Sequence, residues 1–450
     1  MSGNDQPDIR SHRLDDSEIA YNFGDLHPPL SRSEALIEAD RCYFCFDAPC
    51  TTACPTDIDI PAFIQKIRSD NVRGSAHTIL SENIMGGMCA RVCPTEVLCE
   101  EACVRNTHED KPVEIGRLQR YATDPIFEDE TRLFYRDPPT GKTVAVVGGG
   151  PAGLSCAHRL AMLGHDVVVF NRDPKAGGLN EYGIAAYKAI GDFAQREVEY
   201  ILSIGGIELR NQQTLGTDFT LQELRDEYDA VFIGVGLGST NTLDLEQESL
   251  EGVDDAIDYI ADIRQSVDLG ALPVGRRVVV IGGGMTAIDI AVQSKRLGAE
   301  TVDLVYRRGP GQMGASEFEQ NLAKTSGVTI HHWAKPASLH GDRHVATIRF
   351  ERTRLNDDGR LVSTGDDFEL TADTVFKAIG QQLDFSTLRA AITDLEVRND
   401  RIVINDAGRT SLPNVWAGGD CVAVGDNLTV TAVQQGKVAA IDIDRALRKE

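Results

Sequence analysis

The chain is short of positive charge. Against 69 aspartates and glutamates it sets 45 lysines and arginines, a formal net charge of −24. Nucleic acids and anionic membrane surfaces are held by basic patches, so a deficit of this size argues against both as partners. A plain acid excess otherwise serves solubility. Also missing is any run of roughly eighteen uninterrupted apolar residues, the length a membrane-spanning helix needs, so no membrane span is expected. The opening stretch MSGNDQPDIRSHRLDDSEIA has no apolar core and no small-residue cleavage site. It does not read as a signal peptide, and a cytoplasmic protein is expected.

Cysteine, by contrast, is concentrated. Eight of the ten cysteines lie between Cys42 and Cys103, in two runs. The first is Cys42-x2-Cys45-x4-Cys50-x3-Cys54-Pro55; the second is Cys89-x3-Cys93-x5-Cys99-x3-Cys103, with Pro94 after Cys93. Thiolates packed this tightly can surround iron–sulfur cubanes, and a Cys-Pro ending such a run often serves the other cluster in two-cluster ferredoxins. Structural zinc prefers paired CxxC knuckles, a spacing these runs do not repeat. Disulfides need an oxidising compartment, which nothing here suggests. Cys156 and Cys421 stand alone and read as small buried apolar residues.

A length of 450 residues suggests about three domains. Residues 1–135 carry the cysteine runs and little strand pattern. Segments such as Ile60–Ser69 and Ser75–Glu82 look helical, so a small helical cluster-binding domain is expected. A polar linker, Arg136–Lys142, closes it. Thr143–Val147 then reads as a buried strand leading into Gly148-Gly-Gly150-Pro151-Ala152-Gly153, a helix, and a second strand ending Phe170-Asn171. The same order recurs at Arg277–Ile281, Gly282-Gly283-Gly284-Met285-Thr286-Ala287, and a strand ending Tyr306. This is strand–turn–helix–strand order with glycines at the turn. The first glycine permits the turn, the second lets backbone approach a pyrophosphate, and the third lets helix and strand pack closely. The helix N-terminus then offers free N–H groups and a favourable dipole to phosphates.

The expected fold is α/β. A helical N-terminal double [4Fe-4S] domain (1–135) precedes an FAD-binding Rossmann-like domain (140–265 and 381–450). A second Rossmann-like domain, for NAD(P), is inserted in the first (266–380). The C-terminal segment Val415–Asp420 and the helix from Thr431 are expected to return to the first of these. Clusters carry single electrons and nicotinamides carry hydride, so a chain holding both calls for a flavin to convert between them. Asn171 stands where an acid usually meets a ribose, and its amide can make that hydrogen bond more weakly. At the second unit Arg307 and Arg308 follow the strand, and two guanidiniums there suit a 2′-phosphate.

Taken in order, these motifs, with Gly177-Gly178-Leu179, Val305-Tyr306-Arg307-Arg308 and Trp416-Ala417-Gly418-Gly419-Asp420, resemble the flavin/iron–sulfur electron-input module. That module is shared by the glutamate synthase small subunit and dihydropyrimidine dehydrogenase. Ile115-Gly116-Arg117-Leu118-Gln119 is similar to the dihydropyrimidine dehydrogenase pattern, in which a glutamine ligates one cluster; glutamate synthase-type chains carry Glu there. Gly234–Gly238 is likewise closer to the pyrimidine enzymes. The chain therefore resembles the smaller, electron-input (PreT-type) subunits of bacterial two-subunit dihydropyrimidine dehydrogenases.

The resemblance implies one cubane on Cys42, Cys45, Cys50 and Cys103, and another on Cys54, Cys93, Cys99 and Gln119, with Cys89 a buried non-ligand. It implies FAD on Gly148, Gly150, Pro151, Ala152, Gly153, Asn171, Gly177, Gly178, Leu179, Lys188 and Asp420. It implies NAD(P) on Gly282, Gly283, Gly284, Met285, Thr286, Arg307, Arg308, Ala378, Ile379 and Gly380. Gly314 replaces a further basic residue of the family's nucleotide site, so the coenzyme is written NAD(P). No strong acid or base is required of any residue. The implied activity is NAD(P)-dependent oxidoreduction as one subunit of a hetero-oligomer, with pyrimidine chemistry on an FMN- and iron–sulfur-bearing partner. No room remains here for a barrel of about 250 residues to hold that FMN. The rival readings are a glutamate synthase small subunit or similar input module, and a non-enzymatic scaffold with degenerate cofactor sites. The isolated chain is expected to bind one FAD and about eight iron atoms; anaerobic iron, sulfide and flavin analysis checks this, and zinc in place of iron would remove the cluster assignment.

Overall fold

The computed structural model describes residues 8–129, 131–384, 388 and 394–448. Residues 1–7, 130, 385–387, 389–393, 449 and 450, which fall within the expected 1–135 and 381–450 domains, lie outside the described residues. Contacts divide the chain into two units. The larger comprises His27–Glu181, Gly191–Gly238 and Leu383–Glu450; the smaller comprises Met1–Leu26, Tyr182–Ile190 and Ser239–Gln382.

The larger unit begins with helices. Asp59 caps Ile60–Arg68 by accepting from Ala62 N at 3.0 Å, and Ile60, Phe63, Ile64 and Ile67 fall on its buried face. That i, i+3, i+4, i+7 spacing makes an amphipathic helix. Asn71 caps Val72–Glu82 in the same way through Gly74 N. Gly86–Val92 and Ile115–Glu128 follow, and side chains of Ile60–Arg68, Val72–Glu82 and Ile115–Glu128 join one apolar core with the cysteine loops.

Beyond the linker a five-stranded parallel sheet runs in the spatial order Val415–Ala417, Ala230–Ile233, Thr143–Val147, Asp166–Asn171, Ile207–Asn211. Its central strands are valine- and isoleucine-rich because both faces are covered. On one face lie helices Pro151–Met162 and Thr429–Leu447, packed through Val146, Leu160, Trp416 and Ile443. Cys156 and Cys421 are fully buried in this unit. Helix Thr429–Leu447 approaches so closely that a Cβ on Gly436 would stand 2.1 Å from Ala152 O.

The smaller unit has its own five-stranded parallel sheet, in the order Val253–Asp255, Thr374–Ala378, Arg277–Gly282, Thr301–Tyr306, Thr329–His332. A three-stranded antiparallel sheet, Ala334–Gly341, Val345–Leu355 and Leu361–Thr371, adds to it. The boundaries differ from those expected. Val253–Asp255 pairs with Thr374–Ala378, and helix Ala256–Gln265 packs on the same sheet, so this unit takes residues from Ser239 onward rather than from 266. The segment through Leu26 joins it rather than the cysteine region, because Ile19 and Phe23 bury in its core and Asn22 Nδ2 donates to Arg296 O at 3.0 Å. Tyr182–Ile190, expected within the first nucleotide domain, is drawn in by Ala185 and the fully buried Tyr187. Which core each of these short segments joins is a matter of packing, which local periodicity does not encode.

Gly436→Ala is expected to destabilise the larger unit by about 1–3 kcal/mol through overpacking against Ala152 O. Chemical denaturation, with and without added FAD, measures it.

Candidate cofactor and cluster sites

The first glycine turn stands at the C-terminal end of Thr143–Val147. Gly148 has φ +111°, and a Cβ there would lie 2.2 Å from Gly234 O; one on Gly153 would lie 1.9 Å from Gly148 O. Only glycine fits either place. Gly150 precedes helix Pro151–Met162 without a side-chain cap, which leaves the first N–H groups available to an anion. Pro151, Ala152 and Gly153 form that first turn. Gly177 and Gly178, at φ +127° and +56°, dock on it, with Gly177 N donating to Gly149 O at 2.7 Å. Leu179 continues from them, partly exposed at 37%. Gly419, before Asp420, comes against Ala152. Burial raises the Asp420 carboxyl above the usual range, with the Arg401 guanidinium opposing. The structure thus gathers these turn residues and Asp420 at one end of the first sheet.

Two of the expected flavin contacts have protein partners of their own. The Asn171 Nδ2 donates to Asp173 O, Lys175 O and Asn211 Oδ1 at 2.8, 3.0 and 2.9 Å, which fixes the amide with its Oδ1 beside Gly149, where an oxygen can accept from a ribose hydroxyl. The Lys188 ammonium is buried in the smaller unit, 2.7 Å from Asp289 and 2.6 Å from Glu319. Burial alone would lower its pKa, but the two carboxylates raise it. A buried ammonium requires such partners, and nothing in the spacing of the three residues announces the triad.

The second glycine turn repeats the first. A Cβ on Gly282 would meet Ala378 O at 2.2 Å, and one on Gly283 would meet the Tyr306 ring at 2.4 Å. Gly284 precedes helix Met285–Arg296, again without a side-chain cap, and Met285 and Thr286 are half-buried in its first turn. Ala378 pairs with Gly282, Ile379 O accepts from Asn241 Nδ2, and Gly380 turns at φ +93°. A Cβ on Gly314 would find Gly284 Cα at 3.7 Å, so residue 314 stands at this turn. Arg307 and Arg308 are exposed, and among the described residues neither side chain is paired with an acid.

The cysteines form two groups. Cys42, Cys45, Cys50 and Cys103 line one cavity, walled by Ile60, Ile64, Val113 and Ile115. Phe44, at φ +53°, donates its N–H to Cys42 Sγ at 3.4 Å. Burial pushes the Cys50 thiol up to about 12, with Cys42 and Cys103 adding to the rise. Cys54, Cys93, Cys99 and Cys89 form the second group. A hydrogen bond with Cys89, then burial, raises the Cys93 thiol, while Cys99 is raised by burial, with Cys54 among its neighbours. Among the described residues no His, Cys, Asp or Glu side chains converge as a single-ion site. Four thiols around one apolar-walled cavity suit a cluster-sized group, which fits the cubane expectation.

Gln119, on helix Ile115–Glu128, is 8% exposed and donates from Nε2 to Gly86 O at 2.7 Å. Its Oε1 has no hydrogen-bond partner among the described residues. An ionised glutamate could not make this donor contact. Gly86 opens helix Gly86–Val92, whose N-terminus is closed by Glu197, accepting from Gly87 N and Met88 N at 2.9 and 3.0 Å. Burial pushes the Glu197 carboxyl up to about 8. Glu197 was not anticipated, because it reaches this helix from a different part of the chain.

Two families match by profile: Pyridine nucleotide-disulphide oxidoreductase over residues 142–436, and Dihydropyrimidine dehydrogenase domain II, 4Fe-4S cluster, over residues 19–131. The chain is 35% identical over 419 residues to the NAD-dependent dihydropyrimidine dehydrogenase subunit PreT of Escherichia coli K12, covering 92% of this chain and 95% of that one. It is 34% identical over 440 residues to the glutamate synthase [NADPH] small chain of the same organism, covering 93% and 92%. Among solved structures, Mycobacterium tuberculosis FprA in complex with NADPH aligns with TM-score 0.57 at 22% identity, over 70% of this chain and 85% of that one. Thioredoxin reductase of T. acidophilum aligns with TM-score 0.53 at 19% identity, over 68% and 99%. Both show likeness of fold.

Gln119→Cys is expected to retain iron and lower the potential of one cluster, because a thiolate adds negative charge, while Cys89→Ser keeps both clusters. EPR of the reduced variants with iron counted per chain checks it. Loss of a cluster in Cys89→Ser, with both kept in Gln119→Ala, reverses the assignment.

Proposed function

The chain belongs to the family of dihydropyrimidine dehydrogenase PreT subunits and glutamate synthase small chains, and from that premise we propose that it is the NAD(P)H-oxidising, electron-input subunit of a dihydropyrimidine dehydrogenase. It passes electrons to or from an FMN- and iron–sulfur-bearing partner that interconverts uracil or thymine and their 5,6-dihydro forms, within a cytoplasmic hetero-oligomer. No helix among the described residues is long and apolar enough to cross a membrane. The chain is an oxidoreductase whose cofactors are FAD, two [4Fe-4S] clusters and NAD(P)H.

When bound, FAD supplies the exchange between hydride and the single electrons that clusters carry. The residues do the holding. The Gly148–Gly153 turn, with Gly177, Gly178 and Asp420, would take FAD, and the Gly282–Thr286 turn with Ala378, Ile379 and Gly380 would take the nicotinamide dinucleotide. The observation that supports the choice of partner is Gln119, whose amide nitrogen donates to Gly86 O; its oxygen would then be the fourth ligand of the cluster taking Cys54, Cys93 and Cys99. The near-equal identity to the glutamate synthase small chain keeps that second reading in play. Its test is the same: affinity purification of the chain from its native host, flavin identification by mass, and assay of pyrimidine-dependent NAD(P)H oxidation. A partner with FMN and uracil-dependent turnover supports the proposal, a very large glutaminase-bearing partner establishes the alternative, and a colourless protein would remove both.

Arg307 and Arg308 are exposed beside the second glycine turn, and among the described residues neither is paired with a carboxylate. Replacing both by alanine is expected to raise KM for NADPH at least tenfold while moving KM for NADH far less, as loss of a 2′-phosphate contact requires. Steady-state kinetics with both coenzymes checks it, and equal effects would reduce the pair to a solvated basic turn.

A further inference from the structure

Thr56 follows Cys54 by two positions and is completely buried, and its hydroxyl lies 3.3 Å from Cys54 Sγ. Among the described residues this hydroxyl has no other partner. A metal-bound cysteine carries no proton, so with a cluster in place the hydroxyl is the donor and the sulfur the acceptor. The backbone carbonyl of Thr56 accepts in turn from Lys437 Nζ at 3.1 Å, and the same ammonium, on a residue 7% exposed, reaches Glu82 Oε2 at 2.8 Å. Lys437 sits on helix Thr429–Leu447 directly after Gly436, the residue whose missing side chain lets this helix lie on Ala152 at the first glycine turn. One turn of one helix therefore touches both the nucleotide-binding turn and the loop that presents Cys54.

We propose that Thr56 and Lys437 are positioning residues that raise the reduction potential of the cluster taking Cys54: Thr56 by donating to the ligand sulfur, Lys437 by holding the Thr56 backbone and placing a buried positive charge beside it. The inference rests on the reading of Cys54 as a cluster ligand. Reduction adds negative charge to a cluster, and a hydrogen bond to its sulfur or a nearby cation stabilises that added charge. The effect is strong where water is excluded, as it is around Thr56. Glu82 offsets the lysine only in part, since its side chain is 44% exposed to solvent while the lysine side chain is at 9%.

The test is an EPR-monitored redox titration of both clusters in the holoprotein, with iron counted per chain. Thr56→Val keeps the shape and removes the donor. It is expected to leave iron content unchanged and lower the potential of one cluster, of the order of tenfold in its reduction equilibrium, about 59 mV for one electron. Thr56→Ser is expected to restore the wild-type value. Lys437→Met is expected to move the same cluster in the same direction, and it decides the matter if Thr56→Val does not fold. Unmoved potentials with full iron in Thr56→Val and Lys437→Met overturn the inference, as does an equal shift of both clusters, which marks general loosening. A shift with Thr56→Val but none with Lys437→Met overturns the lysine's part. Cys54→Ala separates the premise from the inference: full iron there removes the ligand assignment itself, whereas a lost cluster there with unmoved potentials in the Thr56 and Lys437 variants removes only the role given to those two residues.

Discussion

At the end of Thr143–Val147 three backbones occupy space that a single methyl group would deny them. Gly148 turns under Gly234 O, Gly153 lies on Gly148 O, and Gly436 lies on Ala152 O. The contacts are short because no side chain intervenes, and they bring strand, helix and C-terminal helix together at one point. Much of the larger unit follows from that junction. The first N–H groups of helix Pro151–Met162 are left without a side-chain cap, the loop at Gly177 packs on Gly149 and Gly150, and Asp420 arrives from the far end of the chain. The smaller unit solves the same problem with Gly282 against Ala378 O and Gly283 against the Tyr306 ring.

The cluster region is built on a different constraint. Thiols and charges are buried there, and each needs a partner. Helices with apolar faces wrap the cysteine loops, while Gln119 from one of them, and Glu197 and Lys437 from later parts of the chain, satisfy backbone groups of this region. Arg91 is paired with Asp124 at 2.8 Å within the same shell. Such bonds stiffen the shell, because breaking any one strands its partner in a medium without water. Stiffness of this kind suits electron transfer, where a fixed environment keeps cluster potentials defined.

The helical cluster region and both glycine turns were legible because each has a local signature. Cysteine spacing survives without knowledge of the fold, and a Val-rich strand running into Gly-x-Gly is a turn wherever it occurs. The helices expected at Ile60 and Ser75 are present as Ile60–Arg68 and Val72–Glu82. Less legible were residues that act across long separations. Nothing around Asn171 announces that Asn211 and two carbonyls hold its amide nitrogen and so fix where its oxygen points. Lys188 looked like a flavin contact, yet its charge is buried with Asp289 and Glu319. The three-stranded antiparallel sheet left no sign strong enough to read.

What the sequence determined alone is residue type at short range: cysteines spaced for clusters, glycines between a buried strand and a helix, a pair of arginines after the second unit, and a glutamine at 119. These are properties of residue type and short-range order. What only the tertiary structure decided is allegiance and environment. It assigned Val253–Asp255, Tyr182–Ile190 and the N-terminal segment to the smaller unit, set Cys89 beside Cys93 and Gln119 beside Gly86, and brought Lys437 to Thr56 across most of the chain. The reason is physical. A short segment buries itself against whichever core completes it, and a buried charge or amide takes the partner that folding delivers; neither choice is written in the residues on either side.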